Sequence, residues 1–305
     1  MNASRPVVLV HLGAGIGNVV LATPLLVALH ELGFTTDVFL AADYAETADL
    51  LRPWSAIRQI ILQQGPSYPR HEYDHVIPAI PPFYASKYGR VIGRLPYALP
   101  RPADAEFYRD EQNFYLSFAR TLGYTCDPAP TPCLPIGPSD SFDVTDQTVV
   151  LAPGCKTGEM AAKRWPLFVE LAETLDDVVV VGTPDDLTRH DGSRMLFPQH
   201  VRSFVGKLSL RETAELMASA GAVVGNDSGL SHIASAVGVQ TILLFGPTPD
   251  TTLGQLPANS HVLRRGLACE PCWTRARFAP CQHRIDCLAG IDIDQVRTAL
   301  ASAMA

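Results

Sequence analysis

Short apolar runs rich in valine, isoleucine and leucine recur along this chain, each followed by a turn carrying glycine or a small polar residue and then by a segment with helical spacing. Parallel strands need a crossover between them, and a helix is the usual one, so this rhythm restricts the chain to βα units stacked on parallel sheets. Strands are expected at residues 7–11, 37–41, 57–62 and 74–79, and helices at 19–30, 44–51 and 111–122, the last closed by Gly123. The alternation restarts near residue 148, with strands at 148–152, 178–182, 201–205, 222–225 and 241–245 and helices at 166–175, 185–195, 210–220 and 230–237. Pro128, Pro130, Pro132, Pro135 and Pro138 separate the two halves. A length of 305 residues suits two domains: 1–135, a linker at 136–147, and 148–305. The expected fold is α/β, with two Rossmann-like doubly wound domains facing across a cleft and ligands beyond the carboxyl ends of the strands.

A net charge of −7 with no basic stripe argues against a nucleic-acid partner, so any phosphate binding must be local. The first apolar run is short and broken by Gly13, Gly15 and Gly17, which fits neither a signal peptide nor a membrane span. The expected location is the cytoplasm. Seven cysteines there read as thiols or metal ligands rather than disulfides.

The stretch from Gly221 to Thr248 carries the clearest ligand signal. Its strand ends in Asn226-Asp227-Ser228-Gly229, and a helix follows. Backbone N–H groups at Gly229 and Leu230, the Ser228 hydroxyl and the positive end of the helix dipole favour a phosphate, while Asp227 suits sugar hydroxyls. Phosphate beside sugar suggests a nucleotide sugar. The plainer alternative is an ordinary Asp/Ser cap closing a βα unit.

Earlier, the loop from Pro153 to Pro166 follows a strand, and its cations Lys156, Lys163 and Arg164 stand where a diphosphate leaving group could be neutralised without a metal. Pro166 suits the first position of the helix after it, and solvated surface charge is the competing account of the cations. After the next strand but one, Ser209 and Glu212 form a capping box, leaving the backbone of Gly206, Lys207 and Leu208 to read a nucleobase edge. Gly13, Gly15 and Gly17 lack dinucleotide-fingerprint spacing and let a sugar approach the backbone closely. The irregular stretch from 73 to 102 is the candidate for acceptor recognition. Cys269, Cys272, Cys281 and Cys287 lie within a 269–287 knuckle whose spacing reads as a closed structural site for zinc or iron, with His283 as a substitute ligand and free thiols as the alternative. No catalytic metal is expected.

Four segments, Gly15-Ile16-Gly17-Asn18-Val19-Val20-Leu21-Ala22-Thr23-Pro24, Lys163-Arg164-Trp165-Pro166, Gly225-Asn226-Asp227-Ser228-Gly229-Leu230-Ser231-His232 and Phe245-Gly246-Pro247-Thr248, together resemble glycosyltransferase family 9, the heptosyltransferase family. The cysteine cluster resembles one in a subset of that family, where iron is described in at least one branch. The resemblance implies a GT-B fold, an acceptor-side first domain, a nucleotide-sugar-binding second domain, an ADP-sugar donor, typically ADP-heptose, and inversion at the anomeric carbon. By the same resemblance Lys163, Ser228, Gly229 and Leu230 contact the donor phosphates, Thr157 lies near them, and Asp227 meets the sugar. Many members carry a catalytic aspartate where this chain has Asn18, and an amide cannot take a proton. The expectation is that Asn18 orients the acceptor while His11, Asp43 or an acidic group of the 73–102 stretch is the base.

A nucleotide-sugar epimerase on the same scaffold, or a non-catalytic binding or assembly protein with a vestigial cleft, are the other readings. The acceptor, a lipid-linked sugar, a protein serine or a small molecule, is not written in the sequence. Self-association is compatible with it.

Overall fold

The computed structural model describes residues 5–64, 69, 73–85, 97–156, 158–274 and 280–305. Two compact units form: Met1–Pro135 with Thr251–Gln255, and Ile136–Asp250 with Leu256–Ala305.

In the first unit four parallel strands, β1 (Val7–Leu12), β2 (Thr35–Leu40), β3 (Ile57–Leu62) and β4 (His75–Ile77), lie in the order β3-β2-β1-β4. Val8, Val10 and Leu12 are fully buried, as expected of a central strand covered on both faces. The fourth strand stops short of the expected residue 79 because Pro78 has no N–H for the ladder. Aromatic packing fixes the helix Glu111–Thr121: Phe114 meets Phe107 edge-on at 5.5 Å and Phe118 at 5.9 Å.

The second unit holds six parallel strands, β5 (Val149–Ala152), β6 (Val178–Val180), β7 (Arg202–Ser203), β8 (Ala222–Asn226), β9 (Gln240–Leu244) and β10 (Ser260–Leu263), in the order β10-β9-β8-β5-β6-β7. Every residue of β5 and β8 is buried, which is why both read as unbroken apolar runs. The chain fills the sheet outward from β5 on one side and then returns to its other side with β8. That reversal opens a crevice beyond the carboxyl ends of β5 and β8. The expected linker is stitched into this unit: the Ser139 amide donates to Ser219 Oγ at 2.9 Å, and Phe142 meets Phe204 edge-on.

Several expected helices differ: 19–30 divides into Ile16–Leu21 and Thr23–Glu31, and 44–51 is 3-10 as far as Thr47 and α-helical only over Ala48–Leu51. Residues 185–195 form only a 3-10 turn, Pro184–Leu187, closed by a Thr183/Asp186 capping box, and then an antiparallel bridge between Thr188 and Arg194. The Arg164 guanidinium takes the carbonyl oxygens of Asp185 and Thr188, which an α-helix would have reserved for its own amides. Pro166 does not open the next helix, which runs Phe168–Ala172; the Pro166 carbonyl is held instead by Arg189.

Candidate functional site

In the second unit the crevice beyond β5 and β8 gathers several of the expected residues. Asn226 ties its two walls together, accepting from the Trp165 amide at 2.9 Å and donating to the Pro153 carbonyl at 2.7 Å. Gly225 is required just before it, since a Cβ there would stand 2.2 Å from Ser231 Oγ, and that hydroxyl donates to the Asn226 carbonyl at 2.6 Å. The helix Gly229–Ala236 then begins at Ser228 with no side-chain cap. The plain capping account therefore fails for Ser228: the amides of the first turn have no intrahelical partner and sit at the partly exposed positions Gly229 and Leu230, as an anion would require.

Lys163 ends the 3-10 turn Gly158–Lys163 and spends its ammonium on Asp227, at 2.5 Å to the carbonyl oxygen and 2.9 Å to Oδ2. Thr248 donates to the same Oδ2 at 2.8 Å, and His232 Nε2 lies 3.3 Å from Oδ1. Desolvation would raise the Asp227 carboxyl, but the Lys163 charge, together with the His232 hydrogen bond and charge, outweighs it and holds the group well below the usual carboxylate range. An ammonium has three donors and a carboxylate about four acceptor sites, so each partner keeps capacity for a ligand.

Other expected residues lie elsewhere. Arg164 is 2% exposed and donates to the carbonyl oxygens of Cys155, Asp185 and Thr188, so it braces the loop from behind and does not reach a diphosphate on its surface. The Gly206 and Lys207 amides are bonded to the carbonyls of Gly182 and Phe204, so those two N–H groups are not offered to a nucleobase; Lys207 Nζ turns back to the Ser203 carbonyl. Ser209 and Glu212 do form the capping box. Thr157 falls outside the described residues, as do residues 86–96 of the 73–102 stretch.

In the first unit the glycine loop leaves β1 through Gly13 (φ 153), Ala14 (φ 79) and Gly15 (φ 146). A Cβ on Gly13 would meet the Ala41 side chain at 2.7 Å, so glycine is needed for space as well as for φ. His11 is fully buried, its ring 4.8 Å from that of Phe39, and desolvation lowers its pKa to about 3. It has neither the access nor the basicity to take a proton from an acceptor at neutral pH. Asn18, half-buried in the helix Ile16–Leu21, donates to Glu111 Oε1 at 2.6 Å. Sequence reasoning missed Glu111, read only as the start of a helix; its partner lies 93 positions away. Asp43 accepts from the Tyr84 hydroxyl at 2.9 Å.

Cys269, Cys272, Cys281 and Cys287 line one cavity of about 210 Å³ with Pro247, Glu270 and His283. Cys281 Sγ accepts the backbone N–H groups of His283 and Ile285 at 3.4 and 3.2 Å. Among the described residues no group of three or more histidine, cysteine or acidic side chains is set to hold a metal ion as the side chains stand. The four thiols share one cavity but are not gathered about a single point.

Residues 120–283, more than half of the chain, match the model of glycosyltransferase family 9 (heptosyltransferase). The chain belongs to that family. The second-unit site residues named above from Cys155 to His283 fall inside the matched span, while Cys287 lies beyond it; the family 9 match does not include the glycine loop. A curated relative, lipooligosaccharide heptosyltransferase 2 of Haemophilus influenzae, is 37% identical over 122 residues, covering 37% of this chain and 35% of that protein. The chain thus aligns with about a third of the length of the curated relatives it matches. The solved structure of Escherichia coli ADP-heptose LPS heptosyltransferase II shares the GT-B fold over 99% of this chain and all of that one, with a TM-score of 0.70 at 20% identity. TibC of enterotoxigenic E. coli, a dodecameric iron-containing glycosyltransferase also solved with ADP-D-beta-D-heptose, superposes over 98% of this chain and 76% of that one with a TM-score of 0.66 at 17% identity. No helix among the described residues is long and apolar enough to cross a membrane.

Proposed function

We propose that this family 9 chain is an inverting glycosyltransferase that moves a heptose or related sugar from an ADP-sugar to a hydroxyl acceptor. The observation that carries the proposal is the uncapped helix start at Ser228-Gly229-Leu230 beside the Lys163–Asp227 pair, at the point where the second sheet reverses its strand order. In this reading the free amides and the third donor of Lys163 take the diphosphate, and the remaining Asp227 acceptor site takes a sugar hydroxyl. The acceptor oxygen forms its bond to the anomeric carbon as the bond from that carbon to the diphosphate breaks, and the electron pair leaves with the diphosphate. The helix terminus and Lys163 are already oriented toward that growing charge, and no metal is invoked for it. Residues 1–135 serve the acceptor and 148–305 the donor.

We further propose that Cys269, Cys272, Cys281 and Cys287 hold a structural zinc or iron ion, with no open position for chemistry. Such an ion would fix the segment that packs beneath Gly246, where a Cβ would stand 3.0 Å from Cys287 Sγ, and so support the turn that brings Thr248 to Asp227.

Calorimetric titration of ADP, UDP, GDP and their sugars tests the reading. Preference for ADP, weakened at least tenfold by Lys163→Ala in a protein that remains folded, is the expected result. Saturation by none of the six would sink it. A non-catalytic binder draws support from Asn18 and from the buried His11; it predicts ADP-sugar binding with no ADP released.

A further inference from the structure

The contact between Asn18 and Glu111 is the most specific feature of the first unit that the proposed reaction leaves unused. Glu111 is fully buried, and its Oε1 receives two donors, Asn18 Nδ2 at 2.6 Å and the Tyr115 hydroxyl at 3.0 Å. With both acceptor sites of Oε1 taken, that oxygen has no O–H to offer the amide and holds it by its NH2 end. That fixes which way Asn18 faces. Its Oδ1 is turned over Gly15, in space that a Cβ on Gly15 would enter to within 2.7 Å. A buried carboxyl group thus stands on one side of the amide and a surface cleared by glycine on the other, with Asn18 half-buried between them.

We propose that Glu111 is a positioning residue for sugar transfer: it locks Asn18 so that Oδ1 accepts the hydrogen bond of the attacking hydroxyl, in the room that Gly15 leaves. This rests on the transferase reading and deepens it. The bonds that form and break are those given above; the hydroxyl proton is held toward Asn18 Oδ1 until the new bond forms and then passes to solvent water. The amide orients and takes no proton. Selection is for an acceptor that presents an O–H.

Release of ADP from ADP-heptose, with water as the acceptor, provides an assay that needs no acceptor identity. Glu111→Met is expected to lower kcat at least tenfold while the donor KM and the ADP affinity stay within twofold; Glu111→Gln, which keeps an oxygen for Asn18, is expected to retain most of the rate. Asn18→Asp alone sets two carboxylates against each other, one of which must hold a proton, so its rate should acquire a new ionisation above the usual carboxylate range. Adding Glu111→Gln restores an amide–carboxylate pair with the roles exchanged, and should remove that ionisation and recover the rate. A Glu111→Met protein with unchanged kcat, or a double variant no better than Asn18→Asp, overturns the inference, and the second comparison stands even if Glu111→Met does not fold. Asn18 side-chain amide signals in 15N-labelled protein separate the two layers of the argument without any donor. A downfield Nδ2 proton that returns toward the free value in Glu111→Met but stays near its wild-type position in Glu111→Gln supports the lock, and a signal unchanged in Glu111→Met overturns it. A locked amide in a protein that binds no ADP overturns the transferase reading, and with it the acceptor role given to Oδ1.

Discussion

Asp227 is held by three side chains from three places in the sequence, and the consequences are measurable at a single residue. Its side chain is 12% exposed and that of Lys163 is 15% exposed, so removing the ammonium leaves an uncompensated buried charge. Lys163→Ala should cost about 3–5 kcal/mol in denaturant unfolding at neutral pH. The depressed carboxyl also sets a sign with pH: its contribution is in full force above the unfolded-state value of about 4 and is lost as pH falls through the lower folded value. Stability of the wild-type protein should therefore fall on acidification below about pH 4, and less steeply in Lys163→Ala. Equal slopes in the two proteins would show that another carboxylate dominates. The charge of Lys163 and Arg164 was plain in the sequence, but their fates were not. Adjacent cations look alike in a string; one faces the crevice and the other is buried because Cys155, Asp185 and Thr188 offer it carbonyl oxygens.

Elements buried on both faces were the most readable part of this chain. A parallel strand such as Ala222–Asn226 excludes polar side chains along most of its length, so it stands out as an apolar run, and the Ser209/Glu212 box marks a helix start by local chemistry alone. Segments whose backbone is held by distant side chains were misread, as at 185–195, because the competing donor, Arg164, is far off in sequence. The unpaired amides after Ser228 were legible as a turn pattern but separable from ordinary capping only once the hydroxyl was located. Gly225 gives this junction its test. Gly225→Ala must displace Ser231 Oγ and break its bond to the Asn226 carbonyl, at a cost of about 1–3 kcal/mol. Adding Ser231→Ala removes the obstructing oxygen, and thermal unfolding of the double variant should recover much of the loss. A double variant as unstable as the single one would place the strain elsewhere, in the 3.2 Å approach to the Ala152 carbonyl.

For the molecule as a whole, a prediction concerns the cysteine cavity. Elemental analysis of purified protein should find zinc or iron near one equivalent, and Cys269→Ser should lower that ratio and weaken ADP binding modestly through the turn carrying Thr248. Metal content unchanged by the substitution would remove the cysteines from consideration. A second whole-molecule feature is the return of Thr251–Gln255 to the first unit, where a Cβ on Gly254 would stand 2.8 Å from Gln112. Five residues encoded far downstream thus complete a body whose other residues all precede Ile136. A single crossover near residue 136 would exchange one body together with a five-residue patch of the other.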